Sequence, residues 1–314
     1  MKTIDWLLSC DPAVAYLSRR DLLEEKQNSP YSPDEGWIKR LYEHVDPVTH
    51  LWAGGVYSPK YNSTHYTLHT LWSLQASPSH EAFQLGVDVL LKHLWPPKGE
   101  VRKHHYQDLC VSAMVGMLAV YAGKRDDKIN EIIDYILAHK MPDGAFNCSW
   151  QRIPKPTMGS LHTTLLVLEM IQTLKEEHYS YRMDELLACI PDCVELILDR
   201  HMYKRRTNGE VIDRNMIRNL FPLGWRYTII RAFDCFAKLK IVYDPRMEEG
   251  LQFLASKADA LGRMKTEAPF SGQYFFRFES TREFSGFNSL RFLRILKHYR
   301  PTEYLQCMHQ MIAP

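Results

Sequence analysis

Apolar residues recur along this chain in two alternating patterns, which together predict an all-α protein. In the first pattern, apolar side chains return every three or four residues, as they do on one face of an amphipathic helix. The clearest example lies within residues 127–139 and consists of Ile129, Ile132, Ile133, Ile136 and Leu137. In the second pattern, as from Cys110 to Tyr121, residues are apolar or small nearly all round, which is typical of a buried helix.

Six segments of the buried kind are predicted, and each follows a turn. They begin near Pro12, His65, Asp108, His162, Trp225 and Phe287. The amphipathic segments between them are residues 34–45, 79–94, 127–139, 184–201 and 245–256. A hairpin unit that repeats along a chain predicts modules that pack on their neighbours without linkers. We therefore expect one domain over residues 1–314, an (α/α)6 toroid of alternating inner and outer helices.

Such a ring of inner helices would enclose a central cavity. Because each inner helix follows its turn, the N-terminal ends of all inner helices would meet at one rim. Unpaired backbone N–H groups and the helix dipole favour anions at such ends. We therefore predict the functional site at the N-terminal ends of the inner helices.

Four segments carry a resemblance to a known group of proteins. They are DGAFNCSW before SLHTTLLVLEMI, FPLGWRYTIIRAFDCF before DPRMEEGLQFL, the segment FNSLRFLRILKHY and the segment DPAVAYLSRRDLL. In these motifs the chain resembles the prenyltransferase and squalene-cyclase repeat superfamily, and more narrowly its small bacterial members with a single toroid. The resemblance implies an α/α barrel that binds isoprenoids in an aromatic-lined cavity. Because one fold hosts many activities, the activity must be argued from the site.

Two branches of that superfamily differ in how well they match. Squalene and hopene cyclases protonate an alkene with a DxDD motif and use two barrels, whereas this sequence has no DxDD and residues for one barrel. Its nearest acidic pair, Asp126 and Asp127, lies at the start of a predicted outer helix. The β subunits of protein prenyltransferases are closer, because they hold zinc with an Asp-x-Cys at the head of one inner helix and a histidine at the head of a later one.

The residues that match this pattern predict a zinc site. Asp108 and Cys110 lie at the head of the third inner helix, His162 lies at the head of the fourth, and Cys148 in the preceding turn would be a fourth donor. Carboxylate, thiolate and imidazole are all zinc ligands, and three protein ligands with an open position make a catalytic site. Nearby helix N-termini would favour the thiolate. The structural alternative is a helix cap at Asp108, a buried Cys110 and a hydrogen-bonded His162.

Further histidines and aromatic residues are candidates for the cavity wall. His65 and His69 lie four residues apart on the second inner helix and share a face. We predict His65 as a catalytic residue beside Asp108 and His162, and His69 as part of the wall. The other predicted cavity residues are Trp52, Tyr66, Trp150, Trp225, Arg226, Tyr227, Asn288 and Arg291. Aromatic walls would suit a polyene or a carbocation, although ordinary core packing also explains aromatic residues.

Two long loops and two basic clusters remain. Residues 202–224 and 263–285 form the loops, and the YFFRF segment of the second predicts a short hairpin, a lid or a local cover. The basic clusters are residues 102–105 and 204–206. Such groups grip a diphosphate together with helix N-termini, and a solvated rim is the alternative explanation.

Composition narrows the classes of function. A net charge of +2 over 314 residues is far from the basic footprint of a nucleic-acid-binding protein, so we expect no nucleic-acid partner. Seven cysteines without a CxxC pair predict reduced thiols and a cytoplasmic location. The first residues lack the pattern of a signal peptide, and no apolar run is long enough to span a bilayer. Gly-rich phosphate loops, dinucleotide fingerprints and GxSxG motifs are also missing from the sequence.

Three functions stay open at this point. The first is a prenyltransferase-like or terpene-cyclase-like enzyme that binds an isoprenoid or similar apolar small molecule, with zinc at the cavity mouth. The second is a carrier that holds such a ligand without turnover. The third and most distant is a glycan-active enzyme, which needs paired carboxylates. Asp108 has no evident carboxylate partner at the other helix heads, and Glu169 and Asp234 lie further along their helices.

Overall fold

The computed structural model describes residues 2–26, 31, 34–95, 108–150 and 155–309. Its α-helices are α1 (Thr3–Leu8), α2 (Pro12–Asp21), α3 (Gly36–Tyr42), α4 (Thr64–Ser73), α5 (Glu81–His93), α6 (Leu109–Tyr121), α7 (Asp127–Ala138), α8 (Leu161–Glu176), α9 (Met183–Ala188), α10 (Ile190–Leu198), α11 (Ile229–Leu239), α12 (Glu248–Ser256), α13 (Gly286–Tyr299) and α14 (Pro301–His309). Strands β1 (Met264–Lys265) and β2 (Phe284–Ser285) pair antiparallel, with Met264 opposite Ser285. The prediction of an all-α protein is confirmed.

The predicted inner helices correspond to α2, α4, α6, α8, α11 and α13. Every residue of α6 except Cys110 is buried, because this helix has neighbours on all sides. Helix α11 begins at Ile229, four residues later than predicted, and the backbone N–H of Tyr227 donates instead to His162. In α7 the four isoleucines of the predicted stripe are fully buried.

The inner helices pack in a definite order. Helix α4 packs against α6, α6 against α8, α8 against α11, α11 against α13, and α13 against α2. Just after α4, Gln75 accepts a hydrogen bond from the guanidinium of Arg20 in α2 at 2.7 Å. An amphipathic partner covers five of these six helices: α3 covers α2, α5 covers α4, α7 covers α6, α9 and α10 cover α8, and α14 covers α13. Helix α12 lies close to α11, since a Cβ on Gly250 would stand 3.0 Å from the Phe233 ring.

The loop of residues 263–285 forms a cover at the N-terminal ends of the inner helices. Phe278 lies with its ring 4.8 Å from that of Phe221, which in turn lies 4.0 Å from Phe287 at the start of α13. Tyr274 stacks on Tyr61, close to the start of α4, at 5.6 Å. The hairpin predicted at YFFRF is wrong, because residues 274–278 have irregular backbone and the paired strands flank them at 264–265 and 284–285.

Among the described residues, every helix is too short or too polar to cross a membrane.

Candidate functional site

The first turns of five inner helices each carry a polar side chain at the second or third helical position. These residues are His65 in α4, Cys110 in α6, His162 in α8, Arg231 in α11 and Asn288 in α13. The N-terminal turns of these five helices therefore carry side chains that can bind or react at comparable positions.

Two thiols meet where α6 and α8 begin. Cys148, in the turn before α8, accepts on its sulfur the backbone N–H of Cys110 at 3.0 Å and the hydroxyl of Thr163 at 3.3 Å. The neighbouring Cys148 side chain raises the pKa of Cys110, and the Cys110 side chain lowers the pKa of Cys148. Both side chains are half-buried. Of the two sulfurs, Cys148 is therefore the one that holds a negative charge more readily.

His162 is oriented by a residue of a distant segment. Its Nδ1 accepts the backbone N–H of Tyr227 at 2.8 Å, so in the neutral ring the proton resides on Nε2. Burial and the positive charge of Arg226 lower the pKa of His162 to about 4. The ring lies 5.1 Å from that of Trp225, and the Arg226 guanidinium lies over both Trp225 and Phe270. His162 is therefore a neutral hydrogen-bond donor at ordinary pH.

The four predicted zinc ligands are only partly brought together. Cys110 and Cys148 touch each other, and the exposed Asp108 lies near enough to raise the pKa of both thiols. In the part of the chain that the structure describes, no three His, Cys, Asp or Glu side chains are grouped so that they could hold a metal ion. Zinc at Asp108, Cys110, Cys148 and His162 stays a prediction.

Aromatic rings surround His65 at the head of α4. Its ring centroid lies 5.2 Å from that of Tyr57 and 5.1 Å from that of Tyr66. His65 is fully buried, and among the described residues neither ring nitrogen has a hydrogen-bond partner. Burial, with a smaller contribution from Lys60, lowers the pKa of His65 to about 3. The Lys60 ammonium lies 5.4 Å from the Trp225 ring, so this aromatic wall also carries a positive charge.

A buried ion pair connects three inner helices. The Arg231 guanidinium of α11 donates from Nε and Nη2 to the two carboxylate oxygens of Glu169 in α8, both at 2.7 Å. Its Nη2 also lies 3.1 Å from Nε2 of His69 in α4. Burial and the charge of Arg231 lower the pKa of His69, so a neutral imidazole accepts this hydrogen bond. Nη1 donates to the carbonyls of Gly224 and Arg226, so every guanidinium nitrogen of Arg231 has a hydrogen-bond acceptor.

Arg291 of α13 is a second buried guanidinium, with far weaker compensation. The residue is 1% exposed, and among the described residues none of its three guanidinium nitrogens has a hydrogen-bond partner. Its Nε lies 3.5 Å from a carboxylate oxygen of Asp234. Burial lowers the pKa of Arg291 to about 10. One turn earlier, Asn288 is 0% exposed, and its amide oxygen and nitrogen are likewise unpartnered within the described chain.

Asp234 is shared between several cations. Besides Arg291, it lies 3.1 Å from Arg294 and 3.7 Å from Lys238. Burial alone would raise the pKa of Asp234, but Arg294, Lys238 and Arg291 together hold it below its usual range. This low pKa is the opposite of what a general acid needs.

A neighbouring carboxylate extends the cluster into α2. Asp21 lies 2.9 Å from Arg294 and 2.6 Å from Arg20. Burial opposes its ionisation, yet these arginines lower the pKa of Asp21 to about 2. The cations joined by ion pairs to Asp21 or Asp234 are Arg20, Lys238, Arg291 and Arg294. Within the described residues, four cations of this cluster therefore face two carboxylates.

A pocket of about 570 Å³ opens where the C-terminal ends of α2, α4, α8, α11 and α13 meet. Its lining includes Arg20, Asp21, Gln172, Glu176, Asp234 and Arg294. The sequence predicts the mouth at the opposite, N-terminal ends. At those N-terminal ends, the 263–285 loop lies over the starts of α4 and α13.

Two predicted cavity residues are instead fixed within the packed walls. Trp52 is fully buried and donates from Nε1 to the carbonyl of Leu41 at 2.7 Å. Tyr227 is fully buried and donates from its hydroxyl to the carbonyl of Met202 at 2.5 Å. Both polar atoms are satisfied by backbone, which is the ordinary state of a buried aromatic residue.

Other predicted groups contact outer helices or lie at the surface. Trp150 packs its ring 3.9 Å from that of His139, just after the outer helix α7. In the basic cluster at 204–206, Lys204 pairs with Glu249 at the protein surface. The cluster at residues 102–105 lies outside the described residues.

Sequence reasoning gave no role to Thr163 and left Glu169 and Asp234 as wall residues. A signal was present for the two acids, because each stands alone inside an apolar helical run, in LLVLEMI and in RAFDCF. A charged residue in such a position is rarely buried unless it is paired. For Thr163 the sequence carries no such signal, since threonine is common in first turns.

No family model, no curated protein and no solved structure matches this chain. The resemblance described above therefore rests on the quoted motifs alone.

Proposed function

We propose that the chain forms a single α/α toroid that binds a small molecule with an apolar body and an acidic end among its inner helices. The packing order α4, α6, α8, α11, α13 and α2, with the Arg20–Gln75 hydrogen bond leading back to α4, supports a closed ring. In a ring of six, α4 and α11 stand opposite each other. The contact between His69 and Arg231 then crosses the axis and ties the two sides together.

The observation that carries the proposal is the buried guanidinium of Arg291. A buried charge is unfavourable unless it is paired and hydrogen-bonded, and buried polar groups nearly always have partners. Arg291 has Asp234 at 3.5 Å, and Asp234 also serves Arg294 and Lys238. A carboxylate or phosphate group would accept two parallel hydrogen bonds from the planar guanidinium and balance its charge. Asn288, one turn away, offers further hydrogen-bonding atoms to the same ligand.

The apolar body of the ligand would lie against the aromatic residues at the helix heads. Tyr57, Tyr66 and Trp225 surround His65 and Lys60 there. Aromatic faces suit unsaturated chains, and Lys60 adds positive charge. Together with the resemblance to prenyltransferases, this makes a short isoprenoid with a diphosphate end the first ligand to test.

A matched pair of ligands and a matched pair of variants test the binding proposal. Binding of geranyl diphosphate and geraniol is measured by calorimetry for the unaltered protein, Arg291→Met and Arg246→Met. Arg246 is the control, because it is a partly exposed arginine paired with Glu195 and Asp244 on the outer side. We expect the diphosphate to bind at least about 10-fold more tightly than the alcohol, since hydrogen bonds to charged groups contribute roughly 1.5–3 kcal/mol.

Arg291→Met should abolish that preference while Arg246→Met retains it. Equal binding of the two ligands by the unaltered protein, or an unchanged preference in Arg291→Met, would overturn the proposal. Thermal melting of each variant shows whether it remains folded.

Turnover separates an enzyme from a carrier. For an enzyme, the reactive group that the geometry favours is Cys148, whose sulfur accepts hydrogen bonds at the head of α6. The carrier alternative is favoured by the complete burial of His65 and Asn288, which would hold a ligand away from solvent. Mass spectrometry of bound ligand after denaturation distinguishes them: conversion of the diphosphate supports an enzyme, and recovery of the intact diphosphate supports a carrier. The glycan alternative gains nothing from Asp234, whose pKa is lowered.

A further inference from the structure

The turn before α8 and the first turn of α6 place two cysteines side by side. The 3.0 Å hydrogen bond from the Cys110 backbone N–H ends on the Cys148 sulfur itself. Since N–Cα is a single bond of about 1.46 Å, the Cys110 Cα lies within roughly 4.5 Å of that sulfur. The sulfur of Cys148 is thus within reach of the Cys110 side chain without movement of the helix.

The other cysteines provide an internal contrast. Cys189, Cys193, Cys235 and Cys307 are buried, so reagents in solution reach them poorly. Cys10 is half-buried like the pair, but its thiol donates a hydrogen bond to the carbonyl of Trp6 at 3.4 Å. Burial and the negative charge of Glu279 raise the pKa of Cys10, so its thiolate forms less readily. Only for Cys110 and Cys148, among the described cysteines, does partial exposure coincide with a neighbouring thiol and with donors directed at one of the sulfurs.

We propose that Cys110 and Cys148 are a redox-reactive dithiol that forms a reversible disulfide with small-molecule disulfides such as oxidised glutathione. The Cys148 thiolate is the attacking sulfur, because the Cys110 N–H and the Thr163 hydroxyl stabilise its charge.

The exchange has two steps. Cys148 attacks one sulfur of the small disulfide, the S–S bond of that molecule breaks, and one glutathione thiolate leaves. Cys110 then gives up its proton to water and attacks the Cys148 sulfur of the mixed disulfide, and the second glutathione thiolate leaves. The protein pair loses two electrons, and the oxidant is reduced to two thiols.

Oxidation would connect the head of α6 covalently to the turn before α8. It would also remove Cys148 as a thiolate and release the Thr163 hydroxyl and the Cys110 N–H from their present acceptor. The dithiol therefore couples the redox state of the surroundings to the shape of the helix heads. This inference does not depend on the proposed ligand, since its test uses glutathione alone.

The test incubates the full chain with oxidised glutathione, quenches with acid, labels the remaining thiols with N-ethylmaleimide and maps the peptides by mass spectrometry. We expect a peptide pair joined through Cys110 and Cys148, reversed by dithiothreitol. Cys110→Ser should stop at a mixed disulfide on Cys148, and Cys148→Ser should form neither product at appreciable rate. The control variant Cys189→Ser/Cys193→Ser should oxidise like the unaltered protein, because those thiols are buried.

A rate comparison guards against misfolded variants, because it needs only the unaltered protein. In that protein, Cys148 should react with oxidised glutathione at least about 10-fold faster than Cys10, since thiolate character and access control the rate. Equal rates at Cys148 and Cys10, or a Cys110 and Cys148 that both stay fully labelled in oxidised glutathione, would overturn the proposal.

Discussion

Two sides of the interior are built in opposite ways. On one side, α6 has no charged residue from Leu109 to Tyr121 and packs against α7 so tightly that a Cβ on Gly116 would lie 3.0 Å from Ile132. On the other side, α11 and α13 bury arginines and a carboxylate. We refer to these as the apolar side (α6 and α7) and the charged side (α2, α11 and α13). Packing alone explains the apolar side, whereas on the charged side Asp21 and Asp234 are shared among four cations, and the proposed ligand would add a further anion there.

The largest expected effect concerns the Glu169–Arg231 pair, which connects α11 of the charged side to α8. Replacing one partner leaves the other as an uncompensated buried charge, so Arg231→Met or Glu169→Leu should each lower the free energy of unfolding by about 4 kcal/mol. The double variant should recover most of that loss, because both charges are then gone. Urea denaturation of the three variants measures this coupling.

The apolar side supplies the control for this double-mutant cycle. Leu118→Ala should lower the free energy of unfolding by about 3 kcal/mol through the cavity it leaves, and its effect should add to that of Arg231→Met. If the double variant Arg231→Met/Glu169→Leu is as unstable as the sum of its singles, the pair does not act as a unit and the comparison of the two sides fails.

The next effect is a dependence on pH to which a carboxylate of the charged side contributes. The pKa of Asp21 is about 2 when folded and near its ordinary value of 3.8 when unfolded. A lowered folded pKa stabilises the protein above the unfolded value, and this stabilisation is lost as the pH falls from about 5 towards 2. A pKa lowered from 3.8 to about 2 corresponds to roughly 2 kcal/mol of stability, and Asp21→Asn should remove this part of the loss at acid pH, the acid limb of the stability curve.

Urea denaturation between pH 6 and pH 2 measures that acid limb. Leu118→Ala is the control, because its curve should run parallel to that of the unaltered protein at lower stability. Parallel curves for Asp21→Asn and the unaltered protein would show that Asp21 is not held by Arg20 and Arg294 in solution.

The same contrast explains how much of the fold could be predicted. Helices α6 and α7 follow from strong apolar patterns that extend over a dozen residues each, and the structure reproduces them. Helices α1 and α14 have no counterpart in the prediction, because six and nine residues give too short a pattern. The late start of α11 coincides with a hydrogen bond between Tyr227 and His162, which are 65 residues apart. Local sequence contains no record of such a contact.

The candidate site divides in a similar way. Residue types near the helix heads predicted that Cys110 and Cys148 would meet, because both sit at ends that the repeat brings together. The sequence does not reveal the direction in which a side chain points. It therefore predicts His162 beside the two cysteines, whereas the structure has its Nδ1 accept the backbone N–H of Tyr227. A lone acid in an apolar run indicates a buried pair, but not that the partner of Glu169 is Arg231, 62 residues away. The number of cations that share each buried carboxylate can be counted only once these ion-pair partners are known.

The smallest expected effect tests that balance most directly. Lys238 lies 3.7 Å from Asp234 and keeps 29% of its side chain exposed, whereas Arg294 contacts both Asp234 and Asp21 and is 10% exposed. If Asp234 has more cations than it needs, Lys238→Met should change the free energy of unfolding by no more than about 0.5 kcal/mol, as for exposed ion pairs. Arg294→Met is the matched comparison and should be destabilising by several times that amount, because it leaves two buried carboxylates short of a partner. Urea denaturation at pH 7 measures both. If Lys238→Met and Arg294→Met lower the free energy of unfolding equally, Asp234 depends on each of its cations. Asp234 would then also neutralise Arg291, and the reason for proposing an acidic ligand at Arg291 would be lost.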